Sequence, residues 1–295
     1  MLDKCSCVIL NYNDYHTTIN LIRKISNYKC INKIIVVDNC STDHSVIELS
    51  NIDIPNLVLI KAECNGGYGA GNNIGIKYAF NNLKDKYVLI ANPDVSFSEQ
   101  LIENLIMTIN ENKQCILTSA LQKDRNGNYI QDIAWKNPSI FDMIFMDFKP
   151  FRRVIFKRMH YTSKYFSSAK SCVVDCVPGA MLLVDTEKFI SIGGYDENMF
   201  LYCEETYLGL RISKSNYCSI LYCNDSYEHL HSVSISKSIK SEMMQYKLIV
   251  KERIYLLNKY MDSNILHVLL ACLVYSFVIF MRLVKKYLGL SRGNL

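Results

Sequence analysis

The chain has 295 residues, 49% of them hydrophobic and 21% charged. That composition can bury a large core and excludes a disordered or collagen-like chain. Lys and Arg outnumber Asp and Glu by 33 to 28, an excess too small to argue for a nucleic-acid partner, and none is expected, although an anionic membrane surface or anionic ligand suits it.

Cys5–Leu10 reads as a first strand, ended by the polar Asn11-Tyr12-Asn13-Asp14. His16–Ser26 has helical spacing, with Ile19, Leu21, Ile22 and Ile25 on one side. Lys33–Val37 is a dense β-branched run halted by Asp38-Asn39-Cys40-Ser41-Thr42-Asp43, and Ser45–Leu49 continues as helix. Leu57–Ile60 reads as strand before the glycine-rich Asn65–Gly75; Tyr87–Ala91 reads as strand before Asn92-Pro93-Asp94; Glu99–Asn110 reads as helix. This alternation predicts an α/β fold with a mostly parallel central sheet flanked by helices. Ligands of open α/β sheets bind beyond the carboxyl ends of the strands, so these polar endings should converge on one site.

Residues 137–170 mix aromatic and basic side chains, with Phe148, Phe151, Arg152, Arg153, Phe156, Lys157 and Arg158 clustered. That cluster reads either as an irregular solvated segment or as a surface offered to lipid headgroups. The apolar Val177–Val184 follows, then Gly193-Gly194-Tyr195-Asp196 and Phe200-Leu201-Tyr202-Cys203-Glu204-Glu205. Ser241–Leu257 reads as a basic amphipathic helix, and Ile265–Met281 is almost wholly apolar. The expected division is one domain over 1–235, with halves at about 1–110 and 111–235, and C-terminal helices over 236–295.

The twelve cysteines are scattered and form no paired C-x-x-C motif, so they read as reduced core thiols of a cytosolic protein. Met1–Asn13 lacks a basic start, a long apolar stretch and a cleavage site. No signal peptide is expected, which would keep the catalytic part in the cytoplasm.

Several polar endings carry candidate chemistry. Gly66-Gly67-Tyr68-Gly69-Ala70-Gly71 invites a dinucleotide reading, but G-x-G-x-x-G from Gly67 would need glycine where Asn72 stands, and the P-loop lysine is missing. The segment reads instead as a loop that lets a ligand approach the backbone, with Gly71-Asn72-Asn73 opening a helix whose amides face a polar or anionic ligand. Asp38 either accepts from a pyrimidine imide or ribose hydroxyl, or makes a turn with Asn39 in which Ser41 or Thr42 caps the next helix. Asp94 is a hard oxygen ligand suited to Mg²⁺ or Mn²⁺ on a diphosphate, although Asn-Pro-Asp is also an ordinary turn. Glu204 and Glu205, beside an aromatic surface, are either a general base of raised pKa or a solvated acidic helix start. His229, with His231 nearby, either completes a metal site with Asp94 or is structural.

In order, these pieces resemble family 2 glycosyltransferases of the rhamnosyltransferase-like branch. The resemblance rests on Val8 to Asn13, Val36-Val37-Asp38-Asn39-Cys40-Ser41-Thr42-Asp43, Asn65 to Gly75, Asn92-Pro93-Asp94, Pro178-Gly179-Ala180-Met181-Leu182-Leu183, Gly193 to Glu205, and His229, over roughly residues 5–235. It implies a GT-A fold with a nucleotide-sugar half and an acceptor half, and inverting transfer from a nucleoside-diphosphate sugar, rhamnosyl or hexosyl, in surface-polysaccharide synthesis. It implies donor contacts from Tyr12, Asn13, Asp38, Asn39, Asn65, Gly67, Asn72, Asn73, Asn92 and Gly179. Asp94 stands where the family's D-x-D metal motif ends, with Asn92 replacing the first aspartate, and His229 matches a histidine near the metal, Mg²⁺ or Mn²⁺. Glu205 matches the catalytic base, with Glu204 beside it. Two departures stand out: the family usually has Glu-Asp at 204–205 and Asp at 207, where this chain has Glu205 and Tyr207. They favour a rival reading, a GT-A-like protein that binds nucleotide sugar or glycan without transferring. A second rival, a nucleotidyltransferase, lacks its lysine-bearing phosphate loop at the first strand.

Ile265–Met281 would be about 25 Å long as a helix, short for a span. Basic residues flank it on both sides, so an interfacial helix is expected. A cytosolic enzyme on the inner face of the membrane suits a glycan or polyprenyl-diphosphate-linked acceptor.

Overall fold

The first apolar run forms β1 (Cys5–Asn11), followed by β2 (Ile31–Asp38), β3 (Leu57–Lys61) and β4 (Tyr87–Ala91). In this computed structural model, which describes residues 3–130, 133–167, 169–230 and 241–288, the four lie side by side in the order β3-β2-β1-β4, all parallel. Their side chains alternate between two buried faces. Val8, Ile35, Val37, Val88 and Ile90 enter one core; Cys5, Cys7, Ile9, Ile34, Val36 and Leu89 enter the other. Helix α1 (Tyr15–Ile25) covers the second face with Leu21, Ile22 and Ile25. After α2 (Ser45–Ser50), helix α3 (Gly67–Tyr78) covers the first. Past the short β5 (Val95–Ser96), helix α4 (Glu99–Glu111) starts where Ser98 Oγ accepts from Leu101 N at 3.1 Å.

Beyond β4 the sheet departs from the expected mostly parallel pattern. After β6 (Cys115–Lys123) come three helices, α5 (Ile140–Phe145), α6 (Lys149–Met159) and α7 (Ser163–Ser167). Strands β7 (Ser171–Val174) and β8 (Met181–Asp185), helices α8 (Thr186–Ser191) and α9 (Glu204–Ser213), and β9 (Cys218–His229) follow. Strand β8 runs antiparallel to both β4 and β6, β6 runs parallel to β9, and β5 and β7 each pair antiparallel with β9. The result is a nine-stranded mixed sheet. A right-handed strand–helix–strand crossover forces parallel neighbours only when one crossover joins them; here β8 returns to β4 after the long 92–180 excursion, and its direction is free.

The aromatic-basic segment is not irregular: Phe148 caps α6, with Pro150 in the first turn, where its missing N–H costs nothing. The C-terminal segment forms α10 (Glu242–Tyr260) and α11 (Ile265–Tyr287), the latter six residues longer than its apolar run. Both join the core that covers the α3 face, through Tyr246, Val250, Leu256, Leu257, Ala271, Tyr275 and Val278. The Arg253 guanidinium and Tyr246 hydroxyl both bind the Asp147 carboxylate, tying α10 to the turn after α5. The expected boundary at 235–236, like His231, lies outside the described residues. All twelve cysteines are unpaired, six of them buried; burial, then the nearby Glu99, pushes the Cys30 thiol up to about 12.

Candidate functional site

Asn11 and Asp38 form the last register pair of the β1–β2 ladder, so both chains leave the sheet together. Asp38 is buried. Its Oδ1 accepts from Asn11 Nδ2 at 2.8 Å and Ser41 Oγ at 2.6 Å, and its Oδ2 accepts from Ser41 N at 3.0 Å. Asn13, at φ 52°, crosses to the same loop: its N donates to Ser41 Oγ at 2.9 Å and its Oδ1 accepts from Thr42 N at 2.8 Å. Tyr12 stands half-buried between them. The turn reading of Asp38 is therefore correct as geometry, with one carboxylate lone pair left over. The cap reading is corrected: α2 begins after His44, and it is Asp43 Oδ1, not Ser41 or Thr42, that accepts from Ser45 N, at 2.9 Å. Ser41 and Thr42 are already engaged with Asp38 and Asn13.

The next link is Asn39. Its Nδ2 donates to Asn65 Oδ1 at 2.9 Å and to Gly67 O at 3.1 Å, and Asn65 Oδ1 also accepts from Gly67 N at 3.1 Å. Asn39 Oδ1 and Asn72 Oδ1 are buried acceptors with no hydrogen-bond partner among the described residues, atoms that a bound polar ligand could satisfy. Asn73, by contrast, is spent on the protein: Nδ2 donates to Tyr195 O at 2.9 Å and Glu197 Oε1 at 3.0 Å, and Oδ1 accepts from Tyr195 N at 3.1 Å.

The glycine-rich segment differs from its expected form. It is helix from Gly67 onward, four residues before Gly71, and what approaches its backbone is the protein itself. A Cβ on Gly67, at φ +88°, would lie 1.9 Å from Phe200 O; on Gly69, 2.8 Å from Tyr195 Cβ; on Gly75, 2.5 Å from Val8 Cγ1. Small residues here let α3 press onto β1 and onto the 195–200 turn, overriding glycine's poor helix propensity.

That turn carries the carboxyl pair. Tyr68 N donates to Phe200 O at 2.9 Å. Tyr202 and Cys203 then take left-handed conformations, φ 76° and 66°, and α9 starts on Glu204 and Glu205. Two successive non-glycine residues at positive φ are costly and persist only where the surroundings enforce them, which is typical of functional sites. Glu205 Oε1 accepts from Gly179 N at 3.2 Å, and a Cβ at Gly179 would lie 2.9 Å from that oxygen. Tyr68, which sequence reasoning passed over, closes the link by donating to Gly179 O at 2.6 Å. Glu204 is buried, and its Oε1 has no hydrogen-bond partner among the described residues. Burial, then repulsion from Glu205, raises the Glu204 carboxyl to about 8, and burial raises Glu205 as well. The pair is no solvated acidic helix start; near neutral pH the Glu204 carboxyl keeps its proton.

One residue on, Ala180 O accepts from Asn92 N at 2.9 Å, which joins the carboxyl pair to Asn92-Pro93-Asp94. Because β5 pairs with the end of β9, Val95 lies opposite His229, and Asp94 falls beside the imidazole: His229 Nε2 and Asp94 Oδ1 are 3.1 Å apart. Two adjacent ligands on an octahedral ion with bonds of about 2.1 Å lie about 3.0 Å apart. The two atoms therefore fit neighbouring positions on Mg²⁺ or Mn²⁺. No third His, Cys, Asp or Glu joins them among the described residues, so phosphate and water oxygens would supply the other positions, as is usual for these ions. Asp38 and Asn92 follow strands two apart in the sheet, about 10 Å at the usual spacing. One hydrogen-bonded rim thus runs from Asn13 through Asp38, Asn39, Asn65, Tyr68, Gly179 and Asn92 to Asp94 and His229.

Residues 6–177 match the family model "Glycosyl transferase family 2". The low-salt glycan biosynthesis hexosyltransferase Agl10 of Haloferax volcanii is 27% identical over 217 residues, 73% of this chain and 64% of that protein. The N-acetylglucosaminyl-diphospho-decaprenol L-rhamnosyltransferase of Mycobacterium tuberculosis is 27% identical over 201 residues, 63% of this chain and 62% of its own length. The rhamnosyltransferase WbbL of Escherichia coli is 27% identical over 150 residues, 50% of this chain and 54% of that protein. The chain thus spans somewhat over half the length of these relatives. Among solved structures, the mannosyltransferase PcManGT of Pyrobaculum calidifontis, in complex with GDP-Man and Mn²⁺, aligns with TM-score 0.60 at 12% identity, covering 100% of this chain and 77% of that one. GalNAc-T7 with UDP, GalNAc and Mn²⁺ aligns with TM-score 0.62 at 14% identity, covering 88% and 49%. These likenesses establish the GT-A fold.

Proposed function

From a chain that belongs to glycosyltransferase family 2 and is a glycosyltransferase of glycan biosynthesis, we propose a specific reaction: inverting transfer of a rhamnosyl or hexosyl unit from a nucleoside diphosphate to a lipid-linked glycan. The observation that carries this reading is the continuous rim. It sets a carboxylate–imidazole pair, a nucleotide-sized polar stretch and a proton-holding carboxyl pair along one sheet edge.

The nucleoside would sit against Asp38, Asn39 and Asn65, with Tyr12 and Asn13 beside it, where the unpartnered Asn39 Oδ1 and Asn72 Oδ1 await donors. Asp94 and His229 would hold Mg²⁺ or Mn²⁺, which when bound neutralises charge on the diphosphate as it leaves. Glu205 would take the proton of the acceptor hydroxyl as that oxygen attacks the anomeric carbon and the bond to the diphosphate breaks from the opposite face. Gly179 holds that carboxylate and Tyr68 holds Gly179; Asn73 serves by fixing the Tyr195–Glu197 turn. A thermal-shift screen of nucleoside-diphosphate sugars with Mn²⁺ tests the donor assignment. One rhamnosyl or hexosyl donor should raise the melting temperature by mass action, and NMR of the product should show the anomeric configuration reversed. No stabilisation by any such donor, or retained configuration, rejects the reaction.

The acceptor's lipid would be met at a membrane surface on the cytoplasmic side. Support comes from α11. Ala271, Tyr275 and Val278 pack inward and the Tyr275 hydroxyl binds Met143 O, while Ile265, Leu266, Leu269, Leu273 and Phe280 are exposed. Its 23 residues, with an 18-residue stretch of mean hydropathy 2.2, would suffice to cross a bilayer. A helix with one face in the domain core and the other bare suits lying in the interface instead. On α6, exposed Phe151 and Phe156 alternate with exposed Arg152, Arg153 and Lys157. Replacing both Leu269 and Leu273 by Glu should lower co-sedimentation with phosphatidylglycerol vesicles on the order of 10-fold or more, given ~1.5–3 kcal/mol per buried leucine. Undiminished binding removes α11 from the lipid contact.

A further inference from the structure

We infer that Gln122 and Tyr227 match the proton of His229 in either of its two ring positions, and that a bound divalent cation moves that proton from Nε2 to Nδ1. This rests on the reading of Asp94 and His229 as cation ligands. Gln122 and Tyr227 are buried, 2% and 0% exposed. The Tyr227 hydroxyl donates to Gln122 Oε1 at 2.8 Å, which turns the amide nitrogen toward His229 Nδ1, 3.2 Å away. An amide N–H₂ donates and does not accept. Nδ1 is therefore the accepting nitrogen, and the proton of the neutral ring sits on Nε2. There it is donated to Asp94 Oδ1 at 3.1 Å. From Tyr227 to Asp94 every hydrogen bond points the same way.

A cation held by His229 Nε2 needs the lone pair that this proton occupies. The proton must move to Nδ1, and Nδ1–H then needs an acceptor. Gln122 supplies one by turning its amide over: Oε1 accepts from Nδ1–H, and Nε2–H donates to the Tyr227 oxygen. The phenol then redirects its own hydrogen to the adjacent Ser119 hydroxyl, which already donates to Met181 O at 2.7 Å and keeps its lone pairs available. Both arrangements leave the buried groups matched, and no proton is gained or lost: one passes between ring nitrogens through solvent. Without a cation the second arrangement points a nitrogen lone pair at the Asp94 carboxylate, which is repulsive. With a cation between them it is attractive. Gln122 is thus a positioning residue whose amide can serve either state, a property that a fixed donor or fixed acceptor would lack.

Selective ¹⁵N-histidine labelling of the full chain reads the tautomer directly, with the His229 signals assigned by their loss in His229→Gln. The cation-free protein should show Nε2–H, and saturating Mg²⁺ should convert it to Nδ1–H. Gln122→Glu, an obligate acceptor, should place a proton on Nδ1 before any cation is added, the ring then donating to Asp94 as well, and saturating Mg²⁺ should remove only the Nε2 proton. Gln122→Met should keep Nε2–H through Asp94 and bind Mn²⁺ about 10- to 100-fold more weakly, because no acceptor then awaits Nδ1–H. A doubly protonated ring in the unmodified protein, or Nε2–H persisting there under Mg²⁺ whose binding needs Asp94, overturns the relay alone. Mn²⁺ binding, followed by loss of the free-ion EPR signal, that is absent or indifferent to Asp94→Asn overturns the cation-ligand reading and the relay with it.

Discussion

Glu205→Gln lowers kcat by about 10²- to 10⁴-fold, the usual contribution of a positioned general base, and leaves the donor KM within a few-fold. The amide keeps an oxygen to accept from Gly179 N, so the turn survives while the proton acceptor is lost. The pH profile gives an independent check. A base acts when deprotonated, and burial raises both carboxyls of the pair, Glu204 to about 8. Activity of the unmodified protein therefore climbs with pH above the ordinary carboxylate value of about 4.3, and this limb flattens in Glu205→Gln. Should Glu205→Gln keep its turnover while Glu204→Gln loses it, the base is Glu204. Glu205→Asp adds a finer test: retracting the carboxylate by about 1 Å costs up to about 10²-fold if attack geometry is that sensitive.

Asp94→Ala abolishes Mn²⁺-stimulated turnover. Asp94 is one of two side chains offered to the cation, and several kcal/mol of charge stabilisation go with it, about 10²-fold or more in rate. Asp94→Asn should fall nearly as far while preserving an oxygen for His229 Nε2, which separates cation loss from collapse of the β5–β9 corner. Turnover measured against Mn²⁺ concentration and with chelator decides the matter: a variant still stimulated by Mn²⁺, or an unmodified protein indifferent to chelator, rules Asp94 out as ligand.

The parts of this architecture legible in the sequence were those written in local pattern. Cys5–Leu10, Lys33–Val37 and Tyr87–Ala91 stand out because β-branched residues bury both faces of a strand, and the polar residues that end them mark the rim. What stayed hidden depends on partners far away in the chain. The start of α3 at Gly67 contradicts local propensity and is imposed by Phe200 and Tyr195, more than 120 positions later. Strand β9 contains the polar Cys223-Asn224-Asp225-Ser226, which local pattern marks as loop, yet the strand continues through it to deliver His229. The reversed direction of β8 has no sequence signature. Neither does the seating of Glu205 under Gly179, nor the role of Gln122, one of several polar residues in Cys115–Lys123. The motif order located the family; the connections among its motifs needed the three-dimensional arrangement.

Asp196, in the turn ahead of the carboxyl pair, accepts from Tyr255 at 2.8 Å, from Lys259 at 3.1 Å and from Tyr260, all on α10. Glu252 of the same helix accepts from Phe200 N at 3.4 Å. The helix that leads to the apolar tail is therefore also the outer wall of the turn that carries Glu204 and Glu205. Trimming before Tyr255 would remove the Asp196 contacts, whereas trimming after Ser263 would leave them in place. Whatever draws α11 toward a lipid surface would thus be linked, through α10, to the seating of the carboxyl pair.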